Sequence, residues 1–402
     1  MTPHATTQPT AKPNDADAGA RGLFARLRRA RRTSSDHSGR ARLVAGLAIV
    51  ALFYVVAVLA EFVAPYSHSA QSREETNAPA TPIHFYDENG NFHTRPFIYA
   101  RHLTDRLTNA YAEDAARRYP LTIFARGNSY RLLGLIYTDR HLFGVTDDAT
   151  DFNQPVSHQP APPSPSATSA APPHVNLLGT DVLGRDRFSQ LVVSARFSLA
   201  VAPLGALLAG ALGVFVGCVA GYAGRRADAV LMRAADAMLA LPALVLILAV
   251  RAALPDKLPL ARAAFFLVAV FVAVGWAEMA RLVRGLVMEL RGREFVTAAR
   301  SLGMTEARVL VRHVLPNASR PVLVQLSLMV PAFLLAETAL SYLGVGVQDP
   351  EVSWGKMLKE VGSSPLLLRE HPFALLSPAI AIFLFVLGVR LLGDGLRRGR
   401  GD

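Results

Sequence analysis

The chain has 402 residues, 51% of them apolar and 18% charged, below the roughly 25% charged usual for soluble domains. Its net charge of +11 does not point to nucleic acid, because the basic residues cluster beside apolar runs, as on the cytoplasmic flanks of membrane helices. A single cysteine, Cys218, excludes a disulfide framework and a Cys-based metal site, and its apolar surroundings make it a packing residue.

Residues 1–42 are polar and Arg-rich and read as a disordered cytoplasmic arm. The apolar run "LVAGLAIVALFYVVAVLAEFVA", 43–64, has the length of a first membrane helix. A polar insertion over 65–176 follows, on the outer side. In it "PIHFYDENGNFHTRPFIY" puts Asn89-Gly90 between aromatic runs, a hairpin signal. "HLTDRLTNAYAEDAARR" reads as a helix, and "LTIFARGNSYRLLGLIY" as two short strands around a Gly-Asn turn, which together predict a small α+β subdomain at about 80–150. "QPVSHQPAPPSPSATSAAPPH" reads as a Pro-rich linker. His84, His93 and His102 lack helical ligand spacing, so no metal site is expected.

Residues 177–397 form the apolar core of the sequence, with five further spans near 199–222, 233–250, 263–282, 322–340 and 373–392, and a short tail at 398–402. The 233–250 span is interrupted by Arg233, Asp236 and Pro242, the first two placed to pair on one helical face. Six spans put both termini on one side, and the Lys/Arg asymmetry makes that side cytoplasmic. Trp354 is expected at the outer interface. Glu278 and Glu337 are ionisable residues within spans; Glu337, near the outer end of the fifth, is a possible pathway residue.

The loop 284–320 contains "EFVTAARSLGMTEARVLVRHVLPN". Phe295, Ala298, Ala299 and Leu302 fall at helical spacing, and Gly303 permits the left-handed conformation at a helix end. Thr305 can cap a second helix, whose apolar stripe is Ala307, Leu310, Val311 and Val314, and Pro316 is expected to end it. On periodicity alone an amphipathic helix resting on headgroups fits equally well. There is no G-x-x-x-x-G-K-[ST] phosphate loop and no catalytic constellation, so any ATP is hydrolysed elsewhere.

This loop resembles the EAA loop of ABC importer permeases. Thr297-Ala298-Ala299 stands in the namesake triplet after Glu294, Gly303 at the glycine and Leu315-Pro316 at the end. Thr297 replaces the usual acid and His313 an aliphatic residue, both as in the dipeptide/oligopeptide branch. "LLGTDVLGRDRFSQLVVSARFSLA", with Gly179, Thr180, Asp181, Gly184, Arg185 and Asp186, resembles that branch's signature before the second span, its role read as ordering the outer entrance through Arg–Asp bonding. "AETALSYLGVGVQDPEVSWGKML" and "LLGDGLR" resemble later segments in family order. The resemblance implies the C-type inner-membrane subunit, an all-α polytopic protein with the six transmembrane helices of the type I permease fold. It implies a coupling loop that transmits ATP-driven motion, and a path for peptides or similar solutes. Implied partners are a homologous second permease, two ATP-binding subunits that use ATP and Mg, an extracytoplasmic solute-binding protein and membrane lipids, with no cofactor bound by this chain. An ion-coupled secondary transporter and a membrane-anchored ligand sensor are the alternatives.

Overall fold

The computed structural model describes residues 39–105, 109–132, 135–145, 173–222, 224–242, 245–246, 248–249, 259–344, 346–363 and 372–398. The arm before 39, nearly all of the Pro-rich linker and the tail from 399 lie outside the described residues. Among the described residues, five helical runs are long and apolar enough to cross a membrane. They are α1 (Gly39–Val58), α3 (Arg187–Tyr222), α5 (Leu260–Leu290), the continuous run Glu306–Tyr342, and α10 (Pro372–Arg398). A short α2 (Ala60–Val63) follows α1.

Small residues let these helices approach closely. On α3, Gly213, Gly217 and Gly221 recur every four residues, and a Cβ on Gly213 or Gly217 would come within 2.6 Å of the α5 backbone at Trp276 or Ala280. Such stripes drive helix packing where water cannot. Gly388 of α10 lies in the same way against Ile49 of α1. At the C-terminal end of α1, Arg196 of α3 donates to the carbonyls of Ala57 (2.6 Å) and Val58 (2.9 Å) and pairs with Glu61, so the helix stops where a guanidinium takes its last acceptors.

The expected 233–250 span differs. Helix α4 (Arg225–Ala240) begins earlier and stops before Pro242, and among the described residues it does not qualify as a membrane span. Its charges explain why. Asp228 pairs with Arg284 (2.5 and 2.7 Å) and Asp236 with Arg281 (3.5 Å), not with Arg233, so α4 lies along the basic end of α5. Trp354 is also a correction. It opens α9 (Trp354–Ser363), is fully buried, donates to the Leu191 carbonyl (3.1 Å) and meets Phe53 edge-on.

The insertion is β, not α+β, among the described residues. Strands β1 (His84–Tyr86), β2 (Phe92–Asp105), β3 (Ala110–Ile123) and β6 (Phe143–Val145) form an antiparallel sheet in the order β1-β2-β3-β6, and β4 (Arg126–Leu132) pairs with β5 (Ile136–Arg140). The Asn89-Gly90 hairpin stands: Gly90 has φ +79°, and Asp87 accepts from the Asn89 and Asn91 amides. The predicted helix over 102–118 is instead split between β2 and β3, with His102 opposite Ala112 and Leu103 opposite Tyr111. Burial of Phe97, Ile98 and Tyr99 on β2 holds β3 in register and overrides the helical propensity of its alanines. Gly127 and Asn128 lie inside β4 and not at a turn.

Candidate functional site

The conspicuous site is the loop joining α5 to the next membrane run. Helix α6 (Glu294–Ser301) is followed by Gly303 at φ +79°, with Gly303 N–H bonded to Arg300 O (2.9 Å) and Met304 N–H to Ala299 O (3.3 Å). This paired closure needs the left-handed residue that only glycine adopts without cost. Thr305 then stands at the N-cap of α7 (Glu306–Val309) in extended conformation, yet its side chain makes no capping bond. Instead Arg300 spans the corner to Glu306 (2.9 Å).

Pro316 does not end the second helix. A π-turn over Leu310–Val314 leads directly into α8 (Leu315–Tyr342), with Pro316 in its first turn. The wider turn shifts the carbonyl that a proline ring would otherwise strike, so the helix passes through. The helical run is therefore continuous from α7 into a membrane helix.

The two faces of the loop divide sharply. Val296, Ala299, Val309 and Val314 are buried in one cluster with Met279, Val283 and Val287 of α5 and Ala206 and Ala209 of α3. Arg291 adds a bond to the Gly221 carbonyl (2.7 Å) and lies over the Tyr222 ring. The opposite face is open: Leu302 is 84% and Val311 65% exposed, and Glu294, Phe295, Thr297 and Ala298 are exposed beside them. Thr297 turns its hydroxyl to its own helix at Arg293 O (3.4 Å). Sequence periodicity placed Phe295, Ala298, Ala299 and Leu302 on one stripe; the structure buries only Ala299 of these.

The signature before α3 is a second, enclosed constellation. Gly179 and Gly184 have φ +71° and +73°, and Thr180 bridges Asp186. Asp181 accepts from the Leu183 and Arg185 amides (2.9 Å each), from Arg185 Nε (2.6 Å) and from Gln190 Nε2 (2.9 Å). Arg185 reaches on to Asp349 (3.1 Å), and Arg187 Nε donates to Thr180 O (2.9 Å). Thr180 Oγ1 accepts from the Ala78 amide (2.8 Å) and donates to the Glu75 carbonyl. Asp186 caps α3 through Ser189 N–H (2.7 Å), and burial pushes its carboxyl up to about 6. The turn thus ties 75–78, 177–190 and 349–360 together, and the Arg–Asp bonding expected there is present.

Glu337, the possible pathway residue, is fully buried and accepts from Ser198 (3.0 Å) and Ser341 (2.8 Å), so it braces α3 against α8. Glu278, by contrast, is exposed on α5.

Comparison with known proteins assigns the architecture. Residues 213–400 match the family described as "Binding-protein-dependent transport system inner membrane component", and residues 42–80 match "N-terminal TM domain of oligopeptide transport permease C". The "Oligopeptide transport system permease protein OppC" of Bacillus subtilis (strain 168) is 38% identical over 219 residues, 54% of this chain and 69% of that protein. The "Dipeptide transport system permease protein DppC" of the same organism is 32% identical over 292 residues, 73% and 86% of the two chains. Its namesake in Alkalihalophilus pseudofirmus is 39% identical over 237 residues, 58% and 74%. In this family the permease binds no cofactor and ATP hydrolysis is carried by separate subunits. The chain belongs to the binding-protein-dependent inner-membrane component family and is a multi-pass permease subunit of an ABC importer.

Proposed function

We propose that this chain forms half of a translocation path for peptides or similar small solutes, and that ATP-binding partners work it through α6 and α7. The relatives' names supply the solute class. The observation that carries the coupling role is the two-faced loop. Its buried valines are rooted among α3 and α5, while Leu302 and Val311 are left bare on the other side. Two ATP-binding subunits closing on ATP and Mg would swing this rooted lever and the membrane helices attached to it. Glu294, Thr297, Ala298 and the Gly303 corner are the contact edge; Ala299, Leu315 and Pro316 transmit its motion.

The remaining partners are a homologous second permease and an extracytoplasmic solute-binding protein. To the five apolar runs we add a sixth span in the 233–250 region, which gives both termini in the cytoplasm and 65–176 outside, in a bacterial inner membrane. The signature turn at Gly179–Asp186 orders the outer entrance, and Glu337, within the helix packing, is the carboxylate assigned to the path. The test is purification of the assembled importer carrying Leu302→Asp with Val311→Asp. Loss of the ATP-binding subunits from the complex is expected; a normal complement of them with normal uptake would overturn the assignment.

A further inference from the structure

The β4–β5 hairpin lies at the outer end of α1, and its composition is unusual for a soluble decoration. Leu142 N–H bonds to the Phe62 carbonyl (2.7 Å), and His141 Nδ1 bonds to that of Ala64 (2.6 Å). Phe124 N–H bonds back to Leu142 O (3.0 Å), and the Phe62 and Phe124 rings meet at 5.9 Å. The apolar run starts at Leu43, after Arg40 and Arg42, and at ~1.5 Å per residue it covers the roughly 30 Å hydrocarbon thickness by about Phe62. Phe62 therefore stands at the end of the span, and Phe124, packed on it, is held at the boundary between hydrocarbon and headgroups.

Two further features converge on that corner. Phe124 is 54% and Ile123 74% exposed, and Phe124 has φ +59°, a conformation costly for a bulky residue and kept only where the surroundings impose it. Beside them Arg126 stands directly opposite Arg140 across the strand pair, and Arg140 reaches the Phe124 carbonyl (3.4 Å). Like charges in facing positions repel, and neither guanidinium has an ion-pair partner among the described residues. An apolar corner beside unpaired guanidiniums matches the composition of surfaces that lie in a bilayer interface.

We infer that the Ile123–Phe124 corner seats in the outer leaflet, with Arg126 and Arg140 on the phosphates of anionic phospholipids, so that the β insertion is a lipid-anchored collar on α1. The inference rests on α1 spanning the membrane, and its leaflet on the topology proposed above. In the full chain with Cys218→Ala, Phe124→Cys or Ile123→Cys is labelled with an environment-sensitive fluorophore in vesicles containing phosphatidylglycerol, with Asn89→Cys at the far turn as the control. Lipid-borne nitroxide is expected to quench the corner positions roughly twofold or more beyond position 89, and aqueous iodide to do the reverse. Arg126→Glu with Arg140→Glu should weaken the lipid quenching in anionic vesicles. Equal iodide access at 124 and 89, or shielding at 124 that arises only on adding the solute-binding protein, would overturn the inference. An impermeant thiol reagent at Asn89→Cys separately reports the leaflet: labelling only from the vesicle side corresponding to the cytoplasm would refute the topology and leave the lipid contact to be judged by the quenching.

Discussion

Asp181 shows how much of one residue's role a sequence can reveal. Its pairing with Arg185 is local and readable from the spacing, because both lie on one tight turn with left-handed Gly184 between them. Their further partners, Asp349 and Glu360, are more than 160 residues away and no periodicity announces them. Both members of the pair are almost wholly buried, so Asp181→Asn removes the buried guanidinium's nearest carboxylate and leaves it the more distant Asp349 and Glu360, at an expected cost of about 3 kcal/mol. Asp349 is largely exposed, and Asp349→Asn should cost under about 1 kcal/mol; thermal unfolding in detergent distinguishes the two, and equal losses would contradict this division. Asp186 supplies a pH dependence. Its folded carboxyl titrates at about 6, above the ~4 of an unfolded aspartate, so the stability it contributes is full below about pH 4 and lost as pH rises through 6. His174, raised by its bond to Glu75, has the same sign. Asp186→Asn keeps the helix cap and is expected to flatten the decline in unfolding temperature between about pH 4 and 7.

At the scale of elements, the loop at 294–317 was legible because Gly303 and the two short helices are local features. What the pattern could not show is which side of each helix meets the rest of the chain. Phe295, Ala298 and Leu302 satisfy helical spacing as core residues would, yet they lie on the open side, while Val296 turns inward. An interface left for a partner and a core have the same periodicity. Pro316 misled for a related reason: proline terminates an α-turn, but the preceding π-turn removes the clash. Since Gly303 has open space around it and a positive φ, Gly303→Val meets no neighbour and acts through backbone strain of about 1–2 kcal/mol. Its expected effect is to reset the angle between α6 and α7, lowering uptake per ATP hydrolysed while membrane levels stay normal. Gly303→Asn, which tolerates that conformation, should retain most uptake. Equal transport by both variants would contradict the corner's role. In the insertion, the 102–118 segment shows the opposite failure, a helix-favouring composition pulled into strands by the buried aromatic face of β2.

On the scale of the whole molecule, the five apolar runs were identified by length and composition, while the span expected at 233–250 is not among them in the described residues, its charges pairing along α5 instead. Helix α1 is held to the remainder by Phe53 between Trp354 and Phe385 and by Arg196 at its C-terminal end. Arg196→Ala leaves the Ala57 and Val58 carbonyls without this donor, and is expected to loosen α1 and expose the 57–64 stretch to limited proteolysis at the membrane surface; an unchanged cleavage pattern would contradict that clasp. The account's central claim is that an externally driven lever enters the membrane helices at α6 and α7. Disulfide trapping tests it most directly, with Ala298→Cys in a Cys218→Ala chain and cysteines along the groove of the ATP-binding subunit, in the assembled importer. The expected result is a cross-link to that subunit whose yield changes between ATP-bound and nucleotide-free states. A position 298 that never cross-links there, and is labelled instead by an impermeant reagent applied to the outside of intact cells, would contradict it.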